Sequence, residues 1–141
     1  MTYSSLASLI DRAGEVEIRQ ISDRERRGAI DPVTVDAALQ DADNIINGYI
    51  GVKYALPLPA VPDLVRSWAT SIARYVLHRN GAPENVSQDY KDAIAALKDV
   101  ARGVLALPVA PGDAPPASVG GRVMAHHRDL VFTASRMRGW R

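Results

Sequence analysis

One stretch, Asp31–Pro59 (DPVTVDAALQDADNIINGYIGVKYALPLP), constrains the fold of this chain more than any other. It contains a start signal, a single helical period and a rigid stop. Asp31 suits an N-cap, where a side-chain oxygen accepts from the free amides of the first turn. Pro32 suits the first helical position, because the N–H it lacks has no partner there anyway. Val35, Ala38, Leu39, Ala42, Ile45, Ile46, Tyr49 and Ile50 then recur at three- and four-residue steps, which puts them on one side of a helix. Asp36, Gln40, Asp41, Asp43, Asn44 and Asn47 fall mostly on the other. Gly48 and Gly51 weaken the last turn, and Leu56-Pro57-Leu58-Pro59 cannot continue a helix. The stretch reads as the hub of a small helical core, with the next helix leaving at a fixed angle.

Two more long helices follow. Pro62 and Asp63 open the first, whose apolar set is Leu64, Val65, Trp68, Ala69, Ile72, Ala73, Tyr75, Val76 and Leu77; Trp68, Ile72, Tyr75 and Val76 are expected on the hub. Asn80-Gly81 reads as its end. The second starts near Pro83 or Ser87 and carries the cleanest amphipathic stripe: Tyr90, Ala93, Ile94, Leu97, Val100, Ala101, Val104 and Leu105. Lys91, Asp92, Lys98, Asp99 and Arg102 line its outside, and Gly103 weakens its last turns. Before the hub, Ser4 and Ser5 are caps for a short helix with Leu6, Leu9 and Ile10 inside, and Gly14 is a left-handed stop. Glu15–Ile21 adds a short turn with Val16, Ile18 and Ile21 inward. The dense run Ser22-Asp23-Arg24-Glu25-Arg26-Arg27-Gly28 reads as a solvated loop or as a contact loop in an assembly. The fold class is therefore all-α: three long helices plus short N-terminal helices.

Composition shifts after Leu107. Residues 108–121 are rich in Pro and Gly and read as an extended linker of partly polyproline character. Residues 122–141 hold Arg122, Arg128, Arg136, Arg138 and Arg141 against one acid, Asp129, together with Val123, Leu130, Phe132, Met137 and Trp140. Such a segment is too apolar to serve only as a solubilising tail and too short to fold alone. It reads as a docking arm, with Leu130 and Phe132 on one face of a strand that could add to a partner's sheet. The organisation is a helical body over 1–107, a linker over 108–121 and an arm over 122–141. Partner-binding residues are expected at Arg122, Val123, Arg128, Leu130, Phe132, Arg136, Met137 and Trp140.

Chemistry-bearing patterns are sparse. Cys is absent, so there is no disulfide framework and no thiolate metal site. His126 and His127 are neighbours whose side chains point apart in any regular element, so no metal is expected. His78 near a helix end is favourable for the helix dipole. Asp41 with Asp43, and Asp89 with Asp92, fall on polar helix faces, where solvation accounts for them. No nucleophile elbow and no phosphate-cradling Gly-Lys loop is found. No enzymatic activity and no cofactor are expected. A formal charge of +1 argues against a general nucleic-acid binder, although the arginines and Trp140 of the arm could touch phosphates and stack on bases. A small nucleic-acid-binding regulator using this basic tail is the alternative reading. No signal peptide is recognised, and no stretch approaches the roughly 20 apolar residues of a membrane span.

The order of several short motifs resembles a family. Tyr3, Leu9, Arg12, Gly14, Glu15 and Glu17 come first, then Ser22-Asp23-Arg24. Next are Ala38-Leu39, Asp41-Ala42, Ile46 and Gly48-Tyr49-Ile50, then Tyr54 with Leu56-Pro57-Leu58. Ile72-Ala73-Arg74-Tyr75 with Leu77 follows, and Tyr90 through Gly103 completes the series. In this order they resemble the Mu-like prophage virion proteins of head–tail connector type, over nearly all of residues 1–107. The resemblance implies an adaptor or head-completion protein in the neck of a tailed phage, assembled in the host cytoplasm. It implies contacts with the portal protein, with neighbouring copies in a ring, commonly twelve-fold, and with the next neck or tail protein. DNA would pass through such a ring without being read, and no membrane would be involved. The family brings no catalytic residues to carry over.

Overall fold

The computed structural model describes residues 2–109. Five helices follow one another, and among the described residues there is no strand: α1 (Leu6–Ala13), α2 (Glu15–Ser22), α3 (Pro32–Ile50), α4 (Asp63–Leu77) and α5 (Glu84–Arg102). The expected arm residues, Arg122 through Trp140, and nearly all of the linker lie outside the described residues.

The helix boundaries follow from local chemistry. Ser5 caps α1, its hydroxyl accepting from the Ser8 N–H at 3.3 Å. Gly14, at φ +87°, ends α1 by donating to the Ile10 carbonyl and at the same time opens α2. Asp31 caps α3 through the Val33 N–H and the Thr34 hydroxyl, at 3.1 and 2.6 Å, with Pro32 in the first turn. α4 stops at Leu77, with His78 as its cap, three residues before the expected Asn80-Gly81. Gly103 does not fray α5 but terminates it. Its left-handed backbone, φ +78°, turns the amides of Val104 and Leu105 back onto the Asp99 carbonyl.

The core sits where α4 packs against α3 on one side and α5 on the other; α3 and α5 also meet. Val35, Leu39, Ile46 and Ile50 of α3, Val65 and Ile72 of α4, and Leu97 and Val100 of α5 are almost wholly buried. Each such aliphatic side chain removed from water stabilises the fold by roughly 1.5–3 kcal/mol before entropy is counted. The short helices complete one end: α1 rests on α4, α2 touches α1 and α3, and they contribute Leu9 and Ile18 to the same core.

Four apolar positions depart from the helical wheel; Leu64, counted in the α4 set, is 41% exposed in the first turn of α4. Tyr75, expected on α3, stacks its ring on Tyr90 of α5, with centroids 4.0 Å apart and planes 12° from parallel. Val16, expected inward, is 58% exposed, because α2 has only two turns and Ile18 with Ser22 fills its buried row. Val104, counted in the α5 stripe, is 75% exposed because the left-handed Gly103 redirects the chain before it. That redirected chain returns to the core. Leu107 is buried, and its N–H donates to the Tyr54 hydroxyl at 2.9 Å.

Candidate interaction surface

Polar side chains in this body do two different things, and separating them isolates the candidate surface. One set ties the short N-terminal segments to the long helices. Glu17 of α2 accepts two hydrogen bonds from the Arg74 guanidinium of α4, at 2.7 and 2.8 Å, and its Oε1 lies 3.3 Å from Nε2 of His78. This fork-to-fork pairing holds the Glu17 carboxyl below the usual carboxylate range, the Arg74 bonds outweighing the opposing effect of partial burial. Arg12 of α1 reaches α4 through Ser67 and Ser71, both at 2.9 Å, and Ser4 meets Thr70 at 2.7 Å.

On the other flank Asp43 of α3 accepts the Tyr3 backbone N–H at 2.9 Å, and the Tyr3 hydroxyl donates to the Asn47 side chain. Asp43 is buried rather than solvated, contrary to its place on the polar side of the wheel. The segment before α1 folds over it, and a wheel drawn for α3 alone cannot include that cover. Burial pushes its carboxyl above the ordinary value, only partly opposed by the Tyr3 N–H, and burial together with the Asp43 charge pushes the Tyr3 hydroxyl up. No buried side-chain N or O among the described residues lacks a hydrogen-bond partner. These groups are therefore engaged in holding helices together.

The second set is left facing outward. The loop between α2 and α3 is closed at its neck by the buried Ser22, whose hydroxyl accepts from the Asp31 N–H at 3.3 Å. Within it the Asp23 carboxylate is occupied by the amides of Arg27 and Gly28, at 2.9 and 2.6 Å, and these backbone bonds hold its pKa down. Glu25 pairs with Arg27. Arg24 and Arg26 have no carboxylate partner among the described residues, and Arg26 holds a left-handed backbone, φ +55°. Both line a shallow cleft with Gln20, His78, Arg79 and Asn80, between the end of α2 and the end of α4. The result is a cationic cleft whose only acid, Asp23, is already bonded.

The outer face of α3 has the opposite character. Asp36, Gln40, Asp41 and Asn44 are exposed along it, Val33 at its start is 75% exposed, and the helix contains no Lys or Arg in its 19 residues. A second shallow groove runs along this face past Thr2, Asp36, Gln40 and Asn47. The sequence marked the loop run as a possible assembly contact but passed over the α3 face. The signal that would have found it is the helix's lack of any cation. Among the described residues no three His, Cys, Asp or Glu side chains converge where a metal could bind. No helix of the described residues is long and apolar enough to cross a membrane.

The described residues form a small all-helical body with no metal cluster and no membrane-spanning helix among them, and comparison with known proteins supplies the class, a protein of Mu-like phages and prophages. The chain belongs to the family described as Bacteriophage Mu, Gp36, whose model matches residues 3–125. It is 35% identical over 122 residues to the Mu-like prophage FluMu protein gp36 of Haemophilus influenzae, covering 86% of each chain. It is 30% identical over 76 residues to Gene product J of Escherichia phage Mu, covering 54% of each. The family match runs past Leu107 through the Pro/Gly stretch and stops four residues into the expected arm.

Proposed function

We propose that this protein is a structural head–tail connector: a non-enzymatic adaptor that forms a ring between portal and tail in the virion neck. In this reading the three long helices form the bundle that serves as the ring's wedge, copies contact one another around the DNA channel, and the residues after 121 grip the portal, a sister copy or the next neck protein. The observation that carries it is the match to Mu and Mu-like prophage proteins along most of the chain. The surface supports it too: one molecule carries both an arginine-lined cleft and a helix face with acids and no cation. A ring needs such non-identical faces, since each subunit must offer a neighbour something other than the patch it offers the next.

The test is genetic and visual. Removing the gene from an inducible prophage should give filled heads and separate tails, and cryo-electron microscopy of intact particles should place the helical body below the portal. Deleting residues 122–141 should leave the helices folded but prevent joining. Normally joined particles from the deletion strain, or density for this chain outside the neck, would overturn the reading.

A further inference from the structure

We propose that two copies of this chain associate head to tail, the Arg24/Arg26 cleft of one receiving the acidic outer face of α3, at Asp36 and Asp41, of the other. The inference deepens the connector reading by naming the faces that meet, and it stands on the charge layout of a single molecule. Arg24 and Arg26 are exposed and have no carboxylate partner among the described residues. The one acid lining their cleft, Asp23, is turned to two backbone amides and pairs with neither arginine, and its single charge leaves Arg24, Arg26 and Arg79 in excess. Asp36 and Asp41 are likewise exposed, take part in no ion pair among the described residues, and sit on a helix without a cation.

Asp36 and Asp41, five residues apart, flank the exposed arc of α3, and Val33, Gln40 and Asn44 with the small Ala37 and Gly48 lie between them. The two faces share no residue, so a contact between them is heterologous: each copy keeps one face of each sign free for a further neighbour. A basic cleft alone would suit nucleic-acid phosphates equally well. The matching acidic face on the same molecule, which duplex DNA would repel, favours a second copy as the occupant.

Sedimentation velocity on the full chain at millimolar concentration tests this. Self-association should strengthen at least about tenfold from high to low salt, as expected of a contact made by exposed charges. Arg24→Ala/Arg26→Ala and Asp36→Asn/Asp41→Asn should each be monomeric at low salt with unchanged helical circular dichroism. Mixed together, they should form a one-to-one dimer that grows no further, because each supplies one intact face; a symmetric contact would not be rescued by mixing. A wild-type chain that stays monomeric at low salt, or variants that fail to complement, would overturn the proposal. So would binding of a short DNA duplex that depends on Arg24 and Arg26 in a chain that does not self-associate. If the contact fails while imaging still finds the protein in the neck, the connector reading survives without it. If the protein is absent from the neck, that reading falls whatever the lone chain does.

Discussion

Glu17 and Asp43 are both carboxylates drawn out of water to fasten an N-terminal segment to a long helix, yet they are built in opposite ways. Glu17 has a cation: the Arg74 fork keeps it ionised and ties α2 to α4. Asp43 has no side-chain cation bonded to it among the described residues; burial outweighs the Tyr3 amide and favours its neutral form, so its charge is a burden at neutral pH. A carboxylate can therefore hold two elements together by attraction or merely by filling an acceptor's place, and pH tells the two apart.

The largest effect should come from breaking the attractive clasp. Arg74→Met leaves a partly buried Glu17 without its fork and should remove about 2 kcal/mol at neutral pH by urea denaturation. Adding Glu17→Gln should restore part of that loss, and no recovery would mean that the two side chains are not coupled. At the other clasp, Asp43→Ala deprives the Tyr3 N–H of its acceptor and should remove about 1 kcal/mol. Asp43→Asn keeps an acceptor oxygen and drops the charge, so it should match or exceed the wild type at neutral pH.

The pH profiles should then run in opposite directions. Glu17, with its pKa lowered on folding, contributes stability above its unfolded pKa, and that stability is lost as pH falls through the folded value. Asp43, with its pKa raised, contributes stability at acid pH that is lost as pH rises from the unfolded value through the folded one. Melting temperatures should show Glu17→Gln flattening the acid limb. The advantage of Asp43→Asn should grow as pH rises from 3 to 7 and vanish at the acid end; an advantage independent of pH would refute the burial argument. The smallest effect is expected at Val16, where Val16→Thr should stay within about 0.5 kcal/mol because the side chain is already in water.

Much of the body was legible because local rules and tertiary packing agree in it. The Ser5 and Asp31 caps, Pro32, Gly14 and the α3 stripe each follow from chemistry confined to one turn. What was not legible needed a second element. Asp43 becomes buried only when Tyr3 folds over it, and Tyr75 turns toward α5 because Tyr90 offers a ring to stack on. Gly103 read as a weak point within a helix because its left-handed role is visible only once the amides beyond it fold back. Of the candidate surface, the arginine run was visible as charge, but which of its side chains remain unpaired depends on how Asp23 and Glu25 are used. The partner-binding residues expected from Arg122 to Trp140 lie outside the described residues.

The Tyr54 hydroxyl, holding the Leu107 amide, moors the far end of the body to the turn between α3 and α4. A tether works from its anchor, since the anchor's position sets the local concentration of whatever the tether carries. On the described body that anchor lies beside Tyr54, so one phenol sets the point at which the five-helix body hands over to the residues after 109.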